Sequence, residues 1–405
     1  TTLAALGFAS ATADPSLFLR TDTTLPPFYV LVYVDDLVFA TAYTEALALV
    51  KAELQERHTC TDLGQLRSYL GLQITRDRAR RTITLTQSHM VHQVLQHFGF
   101  QFSSPQPTPL STGHLLSAPP SDESVEPSCP YPALVGCLMY LMTCTRPHLA
   151  YPLSLLACYV APGRHRKVHW DATKRVLRYL CNTSGMGLVL GGQGSVVLTG
   201  HSDAAWVDDQ ATQSSSQGYT FSLGSGSVSW RSNRSSSVLS SRCEAKIYAR
   251  AMAAQELRWL TLSESGLGFE SQCVHFGHLS AWVCQRSTGD PRLILRKGYR
   301  LVVLGGYGRT DPLLNKPFCP SGLVTGILTD LPTDQFGRLE HRMKHIALRY
   351  FVARELQQRR QLCLSYVASR ANTADVFTKA LGSGDHQRFC TALRLVPTLP
   401  HLLVA

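Results

Sequence analysis

The sequence predicts a mixed α+β or α/β fold. In the second half, short apolar strands separated by Gly/Ser turns precede a helix, and strands and helices also alternate in the first half. The 405 residues are 44% hydrophobic and 17% charged, which indicates a folded chain of about two or three domains and excludes a disordered one. The net charge of +11 favours a polyanionic partner.

Cysteine usage and hydropathy narrow the class of protein further. The twelve cysteines form no CxxC pair, which argues against a zinc ribbon or a redox motif and favours a reducing, intracellular compartment. No apolar stretch reaches the length of a membrane span without a charge or a proline. The start, TTLAALGFAS, lacks an initiator Met and a signal-like pattern, so we expect a piece of a longer chain.

Strands and helices are expected to alternate in the first hundred residues. Residues 28–40 contain two apolar strands, FYVLVY and LVFA, whose continuous Val, Leu, Tyr and Phe suit strands covered on both faces. A helix is expected over Thr44–Arg57. A strand pair with a turn at RDRARR follows, and residues 88–98 are again helical.

A proline-rich segment separates these elements from a helical region. Residues 103–132 carry eight prolines, which predicts a loop or linker. The pattern is then helical over 133–159 and over 165–180, and the second of these stretches is basic.

The second half begins with short strands, GLVLGG, SVVLTGHSDAAW, GYTFSLGSGSVSWRS and SSVLSSR. A helix follows, with Ser240 or Ser241 as its N-cap. Further on we expect a helix over 338–358, the strand LCLSYVA, and a last helix from about Ala374. The stretch 269–336 has no sustained periodicity, which is unusual inside a compact domain.

Two adjacent carboxylates, Asp35 and Asp36, interrupt the apolar strand pair. Burying either one unpaired would cost several kcal/mol, roughly. A hairpin that aims both into a cleft could hold Mg²⁺, and two such ions about 4 Å apart can stabilise a phosphoryl transfer. The alternative is an exposed Asp-Asp turn. The flanking apolar strands favour the metal site.

These residues, together with blocks further along, resemble the reverse transcriptases of Ty1/copia-type LTR retrotransposons. YVDD stands where that family has its polymerase signature. The matching blocks follow the family's order: FLRTDTTLPPFYVLVYVDDLVFA, TDLGQLRSYLGLQI, YPALVGCLMYLMTCTRPHLAY, HWDATKRVLRYL and ASRANTADVFTKAL. The resemblance covers most of residues 5–265 and 338–385, and it identifies a fragment of a Pol polyprotein that spans the C-terminal part of reverse transcriptase and the RNase H domain.

The resemblance implies a polymerase palm hairpin, with Asp35 as a direct metal ligand and Asp36 beside it. The third polymerase carboxylate belongs to a block upstream of residue 1, so polymerase activity is not expected of the isolated chain. The helices over 133–180 resemble the thumb or connection that grips the primer-template. Phosphate contacts would come from Lys167, Lys174, Arg175 and Arg178, although a solvated basic helix face remains the alternative.

A second set of carboxylates resembles the retrotransposon RNase H. Asp203, Glu244 and Asp375 would bind two Mg²⁺, with Mn²⁺ as an alternative, and cut the RNA strand of an RNA–DNA hybrid. The family's fourth carboxylate, in an Asp-Asn pair, has no counterpart before the HRMKHI helix. Lys246 also adds a positive charge where the family has an acidic residue.

The HRMKHI helix carries two histidines at a spacing compatible with zinc, His341 and His345, but no further ligand completes such a site. The resemblance implies a basic helix that faces the hybrid or serves structure. Lys344 and Arg349 would then contact nucleic acid.

The expected architecture is a partial reverse-transcriptase palm with a helical thumb or connection, followed by an RNase H-like mixed-sheet domain that an unmatched tract interrupts. The boundaries are 1–102 for the palm and start of the thumb, 103–132 for the linker, 133–184 for the thumb or connection helices, 185–268 and 337–390 for the two RNase H-like parts, 269–336 for the unmatched tract, and 391–405 for a tail.

The leading hypothesis is a retrotransposon reverse transcriptase/ribonuclease H fragment that is inactive as an isolated chain. The alternatives are a catalytically dead nucleic-acid-binding remnant and an unexpressed transposon relic. Expected partners are primer-template nucleic acid, an RNA–DNA hybrid and the upstream part of the Pol polyprotein, with no membrane. By family resemblance we expect an intracellular location, in cytoplasmic virus-like particles and in the nucleus.

Overall fold

In a computed structural model the chain forms two compact units. The first comprises Thr1–Thr75 and Gln255–Glu270, and the second comprises Arg76–Ala254 and Ser271–Ala405. The structure describes residues 2–12, 14–20, 22, 27–113, 116, 129–193, 198–209, 213–239, 241–267, 272–276, 279–283, 285–286, 294–295, 299–300, 353, 355–356, 363–365 and 367–398.

The first unit is built on an antiparallel sheet of four strands in the order β1-β2-β3-β4. The predicted strand pair, the predicted helix after it and the following strand are confirmed. In chain order the elements are α1 (Thr2–Ala5), β1 (Phe8–Ser10), β2 (Leu17–Arg20), β3 (Phe28–Tyr33), β4 (Asp36–Thr41), α2 (Thr44–Arg57), β5 (Ser68–Tyr69) and β6 (Leu72–Asp77), of which β5 and β6 pair as a hairpin.

The core of this unit forms between the sheet and α2. Phe28 and Val30 of β3 are buried together with Val50 and Leu54 of α2. Because side chains alternate along a strand, only one face of β3 contributes to this core. The residues of β4 are half-buried or exposed. The prediction that both faces of the strand pair are covered is therefore wrong.

The second unit begins with β7 (Thr82–Thr86), and four helices follow. The four helices share one apolar core. The helices are α3 (Ser88–His97), α4 (Tyr131–Cys144), α5 (Ala150–Ala157) and α6 (Lys167–Asn182). The helical stretch expected over 133–159 is divided between α4 and α5 by a 3₁₀ turn at Pro147–Leu149. The division follows from Pro147, because a proline disfavours helical geometry at the residue before it, here Arg146.

The remaining elements of the second unit centre on a six-stranded mixed sheet. In chain order they are β8 (Met186–Gly191), β9 (Leu198–Asp209), β10 (Ser214–Leu223), β11 (Gly226–Arg234), α7 (Arg242–Leu267, of which the part from Gln255 onward belongs to the first unit), β12 (Gln272–Phe276), β13 (Leu279–Val283), β14 (Gln285–Arg286), β15 (Ile294–Leu295), β16 (Tyr299–Arg300), β17 (Cys363–Ser365), α8 (Ser383–Ala392) and β18 (Leu395–Pro397). The sheet order is β11-β10-β9-β12-β13-β17, and β12 runs parallel to β9. Separately, β8 pairs with β7 and β18.

The start of α7 agrees with the prediction, whereas the last helix does not. Ser241 caps α7, because its Oγ accepts the backbone N–H of Glu244 at 3.2 Å. The last helix, α8, begins at Ser383 rather than near Ala374. Residues Thr373–Phe377 instead form a short 3₁₀ helix, called here the 3₁₀ segment, which ends at Thr378, whose φ of −126° and ψ of −15° are not helical.

Part of the stretch 269–336 does form regular structure, because strands β12 to β16 lie between residues 272 and 300. The sequence pattern did not predict these strands, and the rest of the stretch lies outside the described residues. The helix expected over 338–358 also lies outside them, except at 353, 355 and 356, which are helical. Among the helices that the structure describes, none is both long and apolar enough to cross a membrane.

Candidate active site

The carboxylates of Asp35 and Asp36 lie at the tip of the β3–β4 hairpin. Tyr33 pairs with Asp36, so Val34 and Asp35 form a two-residue turn. Val34 has a φ of 52°, which is rare for a β-branched residue. Both aspartates are exposed. Water therefore solvates their charges, and the cost of burial that the sequence pattern suggested does not arise.

The β5–β6 hairpin brings an aromatic side chain towards this tip. The pKa of Tyr69 is raised, first by partial desolvation, then by the negative charge of Asp36 and last by the neighbouring titratable phenol of Tyr33. Tyr33 itself is 51% exposed. The tip thus combines two solvated carboxylates with two tyrosines.

Asp203 and Asp375 form the second carboxylate site. Asp203 lies in the middle of β9 and Asp375 in the 3₁₀ segment, and both are buried. Thr378 Oγ1 donates to Asp203 Oδ2 at 2.8 Å. Lys379 Nζ lies 2.7 Å from Asp375 Oδ2. Two carboxylates that are 172 positions apart in the chain thus meet beside one hydroxyl and one ammonium group.

The pair is expected to hold a proton under mildly acidic conditions. Burial, and then the negative charge of Asp203, raise the pKa of Asp375 to about 6 from 3.8. Lys379 lowers this pKa, and a hydrogen bond between the two carboxyl groups raises it. Because the sites interact, the proton belongs to the pair as a whole.

Three residues that sequence reasoning did not single out surround the carboxylate pair, and two of them, Asn372 and Thr378, join the 3₁₀ segment to β9. Asn372 caps the segment, because its side chain accepts the N–H of Ala374 at 3.2 Å. The Asn372 Nδ2 also donates to the Ser202 carbonyl at 3.4 Å. Thr378 and Lys379 supply the contacts to the carboxylates. The capping pattern in ANTAD was the one signal that could have indicated Asn372.

Glu244 lies in the first turn of α7 and is buried. The residues around it, Ala245 and Tyr248, belong to a cluster on which Ala204 packs. Ala204 and Asp203 are neighbours in a strand and point to opposite faces of the sheet. Within the described residues, no three His, Cys, Asp or Glu side chains form a group that could hold a metal ion. The role of Glu244 as a third ligand stays a prediction.

The basic residues predicted to contact phosphates are placed differently from one another on α6. Lys167 and Lys174 both pair with Asp171, at 2.7 and 2.5 Å. Arg175 Nη2 donates to Thr108 Oγ1 at 3.0 Å. Arg178 is exposed. The two other predicted contacts, Lys344 and Arg349, lie outside the described residues.

Comparison with known proteins points to the same family as the motifs. Residues 1–112 match the family described as reverse transcriptase (RNA-dependent DNA polymerase). The chain is 34% identical over 278 residues to the retrovirus-related Pol polyprotein from transposon TNT 1-94 of Nicotiana tabacum, which covers 66% of the chain and 21% of that protein. It is 27% identical over 401 residues to the retrovirus-related Pol polyprotein from transposon RE2 of Arabidopsis thaliana, covering 99% of the chain and 24% of that protein.

A third relative is matched over nearly its whole length. The uncharacterized mitochondrial protein AtMg00810 of Arabidopsis thaliana is 30% identical over 239 residues, which is 58% of the chain and 96% of that protein. No solved structure matches the chain. The chain spans about a fifth to a quarter of the two Pol polyproteins. These similarities and the ordered motifs show that the chain belongs to the family of Ty1/copia-type retrotransposon Pol polyproteins, with a reverse transcriptase region in its first 112 residues.

Proposed function

We propose that the Asp203–Asp375 site belongs to the ribonuclease H part of a copia-type Pol polyprotein, which cleaves the RNA strand of an RNA–DNA hybrid at this site. The observation that supports this most directly is the convergence of two buried carboxylates from separate elements. Burial of like charges costs stability, so a purely structural role for this pair is disfavoured. Sites that bind a divalent cation accept this cost because the ion compensates it.

The donor set of this site fits magnesium, which prefers carboxylate oxygens. Asp203 and Asp375 would hold the ion, and the family resemblance implies Glu244 as the third ligand. Such ions, when bound, would supply activation of the attacking water and stabilisation of the leaving 3′ oxygen. Mn²⁺ is the alternative ion, since it accepts the same ligands.

The chain's own residues prepare this site. The Thr378 hydroxyl orients the Asp203 carboxylate, and the Lys379 ammonium neutralises part of the charge of Asp375. Since the pKa of Asp375 is about 6, the pair carries a proton below that pH and two negative charges above it. We therefore expect cleavage to increase as the pH rises through about 6.

The test is cleavage of a labelled RNA–DNA hybrid by the full chain in the presence of Mg²⁺. Asp203→Asn is expected to abolish cleavage, because it removes a ligand charge. Asp385→Asn is the matched control, since Asp385 is an exposed carboxylate that pairs with Arg388 at 2.9 Å. Equal cleavage by wild type and Asp203→Asn would eliminate the proposal.

A second candidate function is nucleic-acid binding without turnover. It is favoured by the observation that only two carboxylates converge within the described residues. Under this hypothesis the hybrid binds through basic residues such as Arg178, and affinity falls steeply as salt increases. An affinity for the hybrid that stays constant from low to high salt would count against phosphate contacts. Cleavage by the wild type that Asp203→Asn abolishes would exclude the hypothesis of nucleic-acid binding without turnover.

We propose in addition that the β3–β4 hairpin supplies Asp35 and Asp36 to a polymerase site that the upstream part of the Pol polyprotein completes. By family resemblance, we also propose an intracellular location, in a cytoplasmic virus-like particle and in the nucleus. Primer extension by the chain together with the upstream segment tests it. Asp35→Asn is expected to abolish extension, whereas unchanged extension would contradict the assignment.

A further inference from the structure

Gly218 lies directly opposite Asp203 in the sheet. The two residues are Cα partners in the β9–β10 ladder. Partners of this kind direct their side chains to the same face of the sheet. Asp203 meets Asp375 on that face, so any side chain at position 218 would stand beside the carboxylate pair.

No space exists there for a side chain. A Cβ atom at Gly218 would lie 2.4 Å from the Cβ of Phe377 and 3.0 Å from the Phe377 carbonyl oxygen. Carbon atoms in contact are normally about 3.5 Å apart. Gly218 is not among the glycines with positive φ, so its backbone conformation does not require glycine. Close approach of the 3₁₀ segment is the reason for glycine at this position.

We propose that Gly218 is a positioning residue that lets the 3₁₀ segment lie directly on β10 and so brings Asp375 to Asp203. A methyl group at 218 would push the segment outwards by roughly 1 Å, since the carbon contact must lengthen from 2.4 Å to about 3.5 Å. The 2.8 Å bond from Thr378 to Asp203 would then approach 3.8 Å, which exceeds hydrogen-bond range. The catalytic consequence rests on the proposed function, whereas the geometry does not.

Gly218→Ala is the test, and Gly226→Ala is its matched control. A Cβ at Gly226 would lie 2.2 Å from the Val189 carbonyl oxygen, so this glycine of the same sheet is equally crowded but borders β8 instead. Both variants are expected to lose stability. In crystal structures of the two full-length variants, only Gly218→Ala should lengthen the Thr378–Asp203 contact beyond about 3.5 Å. An unchanged contact in Gly218→Ala would overturn the inference.

A second pair of measurements separates this inference from the proposed function. Calorimetric titration with Mg²⁺ should show affinity about 10- to 100-fold weaker for Gly218→Ala and unchanged for Gly226→Ala. For hybrid cleavage we expect kcat about 100-fold lower with an unchanged KM. Wild-type affinity in a variant whose pair has separated would refute the positioning role. If the pair separates in Gly218→Ala but the wild-type chain neither binds Mg²⁺ nor cleaves the hybrid, the proposed function is refuted. The positioning role of Gly218 is not affected by that result.

Should Gly218→Ala fail to fold, the wild-type chain still provides a test. The contact with Phe377 predicts a nuclear Overhauser effect between the α-protons of Gly218 and the β-protons of Phe377. Observation of this effect supports the close approach, and its absence from assigned spectra overturns the inference.

Discussion

Replacing Asp203 by Asn is expected to stabilise the folded chain at neutral pH while abolishing cleavage. The substitution keeps a side-chain oxygen that can accept the Thr378 hydroxyl, now at 2.8 Å. It removes the negative charge that faces Asp375, and the new amide can donate to that carboxylate. Stability and activity should therefore change in opposite directions, as at other sites that carry unfavourable charge for function.

The magnitude follows from the pKa of Asp375, which is about 6 in the folded chain compared with 3.8 ordinarily. The folded chain binds more protons than the unfolded chain between these values. A stabilising contribution that is fully present below pH 3.8 is therefore lost as the pH rises through about 6. At about 1.4 kcal/mol per pH unit the loss is about 3 kcal/mol. Burial is the larger cause and Asp203 the next, so Asp203→Asn should restore about 1 kcal/mol.

Urea unfolding at pH 4 and pH 7.5, followed by circular dichroism, measures this effect. We expect Asp203→Asn to raise the free energy of unfolding by about 1 kcal/mol at pH 7.5 and to change it little at pH 4, where Asp375 is protonated. Asp385→Asn, on the exposed surface, should show no such dependence on pH. A stability change of the same size at both pH values, or a loss at pH 7.5, would refute the reasoning.

Three further predictions concern buried charge. Lys379→Met should raise the pKa of Asp375 above about 6, because the ammonium group of Lys379 lowers that pKa in the wild type. A carboxyl ¹³C titration that shows a pKa of Asp375 below the wild-type value would contradict this prediction. Burial lowers the pKa of His386 to about 4 from 6.5. The neutral histidine therefore contributes about 3 kcal/mol of stability above pH 6.5, and this contribution is lost as the pH falls through 4. His386→Phe should reduce the acid-induced loss of stability in pH-dependent unfolding, and an unchanged profile would exclude the histidine as its source. Arg146 is fully buried, and burial lowers its pKa to about 10, so Arg146→Met removes a buried charge whose desolvation is costly and should raise stability in urea unfolding; a loss of stability would show that the hydrogen bond from Arg146 to the Ser184 carbonyl outweighs that cost.

Local patterns in the sequence determined the elements that depend on neighbouring residues. The β3–β4 hairpin, the helix Thr44–Arg57 and the Ser241 cap of α7 all follow from apolar periodicity and capping chemistry, which act over a few residues. The ordered motifs also indicated the family and selected Asp203 and Asp375. These assignments needed no knowledge of how distant segments meet.

The tertiary structure decided which of those residues meet and in what environment. The β9–β10 register places Gly218 beside Asp203, and the 3₁₀ segment then brings Thr378 and Lys379 to the pair. Gly218 meets Asp203 through the strand register, and Thr378 reaches Asp203 across 175 positions of the chain, so neither of these two contacts has a signal in local sequence patterns. Burial likewise decided that the hairpin carboxylates are solvated while Asp375 is desolvated. The electrostatic character of a carboxylate depends on the groups that surround it in space, and the sequence states only its chemical identity.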